Sequence, residues 1–185
     1  MKPHELVARC AKAVDSADPM GSARALLESL RGDVAAIERA LGFISGVGGN
    51  ARQVFYRSPD LTLLKVCFPG GRRTPPHDQG TWAAILVLSG EEKNTLYRCE
   101  SGSLRRASEV TLARGSILTM RAETVHVAEC LGSAPVMGLH VYGGDIFELP
   151  RRMWNPETLE AHRLEWGLYE NFARVASNAE RAPLA

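Results

Sequence analysis

Gly71-Arg72-Arg73-Thr74-Pro75-Pro76-His77-Asp78-Gln79-Gly80-Thr81-Trp82 decides how this chain is read. A proline-stiffened turn leads into an extended segment, where alternate residues share a face, so His77 and Gln79 point the same way. Two donor side chains aimed into one cavity suit a metal ion that takes a third ligand from elsewhere. His126, within Thr124-Val125-His126-Val127, is the candidate. A neutral imidazole nitrogen suits Fe, Ni, Cu or Zn.

Around this stretch, residues 52 to 148 read as short β-like runs between turn residues. The candidate strands are Gln53–Tyr56, Thr62–Phe68, Ala83–Ser89, Asn94–Arg98, Glu109–Leu112, Ser116–Met120, Val125–Ala128 and Val136–Tyr142. Short strands with frequent turn signals predict a sandwich or barrel rather than βαβ units. Residues 1–46 form a helical flank. Its apolar stripe is Leu6, Val7, Cys10 and Val14, Asp33 caps a further segment, and Gly42 ends it. Gly46-Val47-Gly48-Gly49-Asn50 reads as a hinge. Beyond the barrel region at 50–150, a helical tail over 151–185 is expected to start at Asn155-Pro156-Glu157 and to carry Leu164, Leu168, Phe172 and Val175. The whole, 1–185, reads as a single domain.

With 22 basic and 21 acidic residues, the net charge is +1. Nothing draws such a chain electrostatically to nucleic acid or an anionic membrane. The amino terminus has no apolar h-region and no run is long enough to span a bilayer, so a cytoplasmic protein is expected. Cys10, Cys67, Cys99 and Cys130 form no CxxC pair and read as free thiols. Phosphate loops, GxSxG elbows and HExxH helices are absent, which returns the chemistry to the histidine pocket.

Gly71-x5-His77-x-Gln79, followed by Gly90, resembles the first cupin motif, and Gly115 with His126 eleven residues on resembles the second. More narrowly, His77-Asp-Gln-Gly-Thr-Trp82 with Leu139-His140-Val141-Tyr142 resembles the cysteine dioxygenase (thiol dioxygenase) family over roughly residues 50–155. The resemblance implies an all-β core, a double-stranded β-helix or jelly-roll barrel, with α-helical flanks. It implies Fe(II), with Ni, Zn or Mn as alternatives, held by His77 and His126. Gln79 stands in the place of the second histidine ligand. His140 and Tyr142 match the histidine and tyrosine that face substrate and O2, and Gly138 stands where a serine precedes them. The cysteine that cross-links to the tyrosine in animal relatives would fall near Ala84.

The implied activity is addition of O2 to a small thiol such as a cysteine relative. Arg52, Arg57 and Arg73 are candidates to hold a substrate carboxylate, Arg57 foremost, and Trp82 is a candidate substrate contact. Alternatives stay open: Gln79 outside the ligand set, a cupin isomerase or lyase with another metal, or a non-catalytic small-molecule binder. His140 and Tyr142 could simply line the core, and Trp82 could be a core aromatic. The helical stripes either cover the barrel or pair two copies as a homodimer.

Overall fold

A computed structural model describes residues 2–42, 51–100 and 103–179. Three helices lead the chain: α1 (Pro3–Val14), α2 (Pro19–Leu30) and α3 (Val34–Leu41). Strands follow as β1 (Ala51–Arg57), β2 (Thr62–Phe68), β3 (Ala83–Ser89), β4 (Glu91–Glu100) and β5 (Ser103–Ala113). Then come β6 (Ile117–Met120), β7 (Val125–Cys130), β8 (Val136–Tyr142), β9 (Arg152–Trp154), β10 (Ala161–Arg163) and the helix α4 (Trp166–Ala179). The expected strand positions hold for β1 to β8. The glycine-rich hinge and the Ser101-Gly102 turn lie outside the described residues.

One sheet runs β1-β2-β8-β3-β6 and another β5-β4-β7. The segment leading to His77 extends the second sheet. His77 and His126 exchange both backbone hydrogen bonds, at 3.0 and 2.9 Å, while Asp78 N–H donates to Arg152 O (3.0 Å) and Trp154 N–H to Pro76 O (2.8 Å). The β9–β10 hairpin is thereby tied on. The described strands therefore form two facing layers of a double-stranded β-helix rather than a fully closed barrel. Gly90 turns the chain between β3 and β4 at φ +80°, where a Cβ would lie 2.7 Å from Pro135 O, so only glycine fits.

Period-two alternation splits β3 between two cores. Ala84, Leu86 and Leu88 face outward to Leu6, Cys10, Ala23, Leu27, Ile37 and Leu41 of the helices. Ala83, Ile85 and Val87 face inward with Leu64, Phe68, Leu118, Met120 and Tyr142. The amino-terminal helices thus cover the outer face of the five-stranded sheet within one chain. Asp33 caps α3 by accepting from Ala36 N–H at 3.1 Å, and Gly42 ends it at φ +69°. Leu27 is wholly buried at this helix–sheet seam. Leu27→Ala should lower stability by about 2–5 kcal/mol in urea unfolding; a change under half a kilocalorie would mean that the helices do not pack there.

The carboxy-terminal helix begins later than the sequence suggests. Asn155 Oδ1 accepts from Glu157 N–H (2.9 Å) and Thr158 N–H (3.3 Å), but it caps a turn in the β9–β10 hairpin, not a helix. The buried face of α4 is Tyr169, Ala173 and Ala176, with Leu168, Phe172 and Val175 flanking it. α4 is tied to the segment before His77, where Arg72 pairs with Glu170 and Arg73 N–H donates to Ser177 Oγ at 2.9 Å.

Candidate functional site

Between the layers lies a cavity of about 80 Å³, small beside the ~300–1,000 Å³ of clefts that hold drug-sized ligands. The three-stranded sheet and its extension supply His77, Gln79 and His126; the inner face of β8 supplies His140 and Tyr142; β1 supplies Arg52; Arg151, Trp166 and Tyr169 come from the carboxy-terminal region.

Both motif histidines are fixed in one tautomer. The Nδ1–H of His77 donates to Pro75 O at 2.9 Å, and a carbonyl can only accept, so Nε2 keeps its lone pair. His126 Nδ1–H donates to Asn94 Oδ1 at 2.8 Å. Asn94 is itself oriented because its Nδ2 donates to Glu92 Oε1 at 2.6 Å. The rings lie 4.5 Å apart between centroids, and the edge of Tyr169 packs on His77 at 5.3 Å. Outer partners on Nδ1 with Nε2 presented inward are how metal-bound histidines are held.

Gln79 sits between them. Its Nε2 lies 2.8 Å from His126 Nε2 and 3.3 Å from His77 Nε2. Its Oε1 accepts from Arg151 Nη2 at 2.7 Å, which settles which end of the amide is which. Gln79 therefore turns its NH2, not its oxygen, toward the two imidazole lone pairs. The two histidines fit a metal ion; the amide, as oriented, does not. Among the described residues, no group of three or more His, Cys, Asp or Glu side chains could hold one.

Burial keeps these histidines neutral. It pushes His126 down to about 3, with the Arg151 cation adding to the effect, and it lowers His77 well below 6.5, with His126 and Arg151 adding. Since the folded value lies below the unfolded one, the unfolded chain takes up protons first. Stability is whole above about pH 6.5 and drains as pH falls toward 3. At pH 5 the metal-free protein should be less stable than at pH 7, with His126 alone accounting for about 2 kcal/mol. Urea titrations at the two pH values check this, and equal midpoints would mean that neither ring is held neutral.

His140 Nδ1 lies 2.9 Å from the Tyr142 hydroxyl. Burial lowers His140 to about 3 and raises Tyr142 to about 12, so the pair is neutral near pH 7. Gly138 makes room for it: a Cβ there would meet His140 Nε2 at 2.7 Å. A side chain at 138 would push against the ring, whose Nδ1 has Tyr142 as its partner.

Three residues expected on the substrate side, Arg57, Trp82 and Arg73, lie away from the cavity lining. Arg57 does not line the cavity. A bulge between Val54 and Tyr56 breaks the alternation of β1, and Arg57 is held by Asp145 and Glu148, each at 2.9 Å. Arg52, opposite the inward-facing Val66, is the β1 arginine in the cavity, its guanidinium 4.2 Å from the Trp166 ring centroid. Trp82 packs with the outer core. Arg73 also stays outside the cavity, in register with Glu129.

Sequence reasoning missed Arg151, Asn94, Glu92, Trp166 and Tyr169. Arg151 is 5% exposed. Besides Gln79 it reaches Asp78 O at 3.1 Å, while its Nη1 is buried without a partner. Among the described residues, no carboxylate forms an ion pair with Arg52 or Arg151. Of the thiols, Cys10, Cys67 and Cys130 are buried and Cys99 is exposed. Among the described residues, no helix is long and apolar enough to cross a membrane.

No family model matches the chain, and no curated protein matches it in sequence. Solved structures do. The DMSP lyase DddQ from Ruegeria pomeroyi DSS-3 is similar with a TM-score of 0.50 at 18% identity, over 71% of this chain and 77% of that one. An RmlC-like cupin family protein with a double-stranded β-helix fold from Methanocaldococcus jannaschii gives 0.46 at 15%, over 61% and 96%. An uncharacterized conserved protein with a double-stranded β-helix domain from Klebsiella pneumoniae gives 0.46 at 19%, over 60% and 84%. At such identities the likeness is one of fold, and it agrees with the two facing layers and the motif glycines: the chain has the cupin double-stranded β-helix fold.

Proposed function

We propose that the protein is a metal-dependent cupin enzyme acting on a small anionic substrate, and more narrowly an oxygenase that adds O2 to a small thiol bearing a carboxylate. One observation carries the reading. The Nε2 lone pairs of His77 and His126, each fixed through Nδ1, converge in a buried cavity that also holds the His140–Tyr142 pair. His77 and His126 would hold the ion, Fe(II) foremost, which when bound supplies a Lewis acid with open positions for substrate and O2.

The remaining work falls to this chain's own groups. Arg52 and Arg151, which pair with no carboxylate among the described residues, attract a substrate carboxylate and leave it little freedom in so small a cavity. Tyr142 keeps its proton at neutral pH and offers its O–H as a donor, with His140 as its neighbour. The thiol and the choice of iron rest on the resemblance of the His77–Trp82 and His140–Tyr142 segments to thiol dioxygenases. A second reading, a non-oxidative isomerase or lyase with another metal, is favoured by Gln79, whose oxygen is turned away from the place of a third ligand.

The test is metal analysis of protein purified without chelators, followed by oxygen uptake with a panel of small mercapto acids. Oxygen consumption that needs both iron and a thiol is expected. Zinc or nickel with oxygen-insensitive turnover would sink the oxygenase and favour the second reading. Metal-free protein that cannot be loaded would sink both.

A further inference from the structure

The cavity lining buries two opposite charges, and among the described residues neither has a counterion. Arg151 is 5% exposed, its Nη1 has no partner, and its other nitrogens donate to Gln79 Oε1 and Asp78 O, both uncharged. Glu92 is 8% exposed and lines the same cavity. Its Oε1 accepts from Asn94 Nδ2 at 2.6 Å, and burial pushes the carboxyl up with only that bond pulling against it.

The two charges do not meet. A run of hydrogen bonds stands between them: Arg151 Nη2 donates to Gln79 Oε1 (2.7 Å), Gln79 Nε2 to His126 Nε2 (2.8 Å), His126 Nδ1 to Asn94 Oδ1 (2.8 Å) and Asn94 Nδ2 to Glu92 Oε1. The aligned dipoles ease both charges but leave each without an ion of opposite sign, and buried charges are best satisfied when paired. The cavity of about 80 Å³ has room for roughly five to eight non-hydrogen atoms, at ~10–15 Å³ for each water-sized occupant. An α-amino acid carries its two charges side by side, too close to serve both ends of this run. A short ω-amino acid carries them a chain apart.

We propose that the cavity takes a short ω-amino acid, its carboxylate on Arg151 and Arg52 and its ammonium on Glu92. This names the class of the small anion proposed above, rests on that reading for the carboxylate alone, and needs no metal.

The experiment titrates the full chain, stripped of metal by a chelator, with 4-aminobutyrate, butyrate and 2-aminobutyrate at pH 7 by calorimetry. 4-Aminobutyrate should bind about 10–100-fold more tightly than butyrate, the worth of one hydrogen bond to a charged group. Its isomer 2-aminobutyrate should gain nothing over butyrate. Glu92→Gln keeps an oxygen for Asn94, so this variant, checked for native circular dichroism, should bind butyrate as wild type does and lose the preference for 4-aminobutyrate. Equal binding of 4-aminobutyrate and butyrate by wild type would overturn the inference while leaving the small-anion reading standing. So would tightest binding of 2-aminobutyrate, or an undiminished preference in Glu92→Gln. Binding of none of the three by wild type would overturn the small-anion reading, and this inference with it.

Discussion

His126→Ala should abolish metal binding while leaving the fold intact. His126 is 4% exposed and faces the cavity, so truncating it enlarges a space that already exists instead of opening a dry void. The imidazole is one of two donors whose lone pairs point at the same place, and an ion left on His77 alone keeps a single protein ligand. Losing an outer partner of a metal-bound histidine costs ~10–100-fold in affinity. Losing the ring itself should cost more than that. Asn94→Ala supplies the internal scale: it removes only the acceptor that fixes His126 Nδ1, so its loss should fall within the ~10–100-fold range. The graded order wild type, Asn94→Ala, His126→Ala, read by chelator competition, distinguishes a histidine centre from adventitious surface binding. Equal affinities across the series would show that the measured ion sits elsewhere.

The barrel and its two histidines are legible in the sequence because each leaves a local mark. Strands alternate, turns need glycine or proline, and a proline-stiffened segment that presents His77 and Gln79 has few bland explanations. His140 and Tyr142 emerge through a resemblance that spans a short segment. What stays hidden depends on long-range approach. Arg151 is 72 residues from Gln79 in sequence, and an arginine after a proline carries no local sign of burial. Tyr169 shares a helix whose apolar periodicity is blurred by Ala173 and Ala176, so the stripe reads most strongly on the neighbouring Leu168 and Phe172. Its place at the end of a strand favours Arg57 over Arg52. The bulge after Val54, which decides the matter, has no marker of its own in that stretch. The Gln79 amide is the hardest case: its position marks it as a donor, but which of its two ends faces the histidines is set by Arg151.

Tyr142→Phe should lower kcat by about 10²–10³ while changing KM little, the scale expected when one donor to developing charge is removed. Burial raises the hydroxyl to about 12, so across the neutral range it carries its proton and can act only as a donor. Phenylalanine keeps the ring that packs with Ile85 and Met120 on the inner face, so cavity shape is preserved. The cost to stability is a lost partner for His140 Nδ1, about 1–3 kcal/mol. The kinetic split then separates the two roles open to the residue. If the O–H only binds substrate in its ground state, KM rises and kcat stands; if it acts on charge that develops during reaction, kcat falls and KM stands. A pH profile adds an independent readout. Burial keeps the Tyr142 hydroxyl protonated across the neutral range, so Tyr142→Phe should lower the rate by the same factor across neutral pH without moving the limbs of the profile. Unchanged kcat and KM in Tyr142→Phe would place the His140–Tyr142 pair among the lining residues of a packed core.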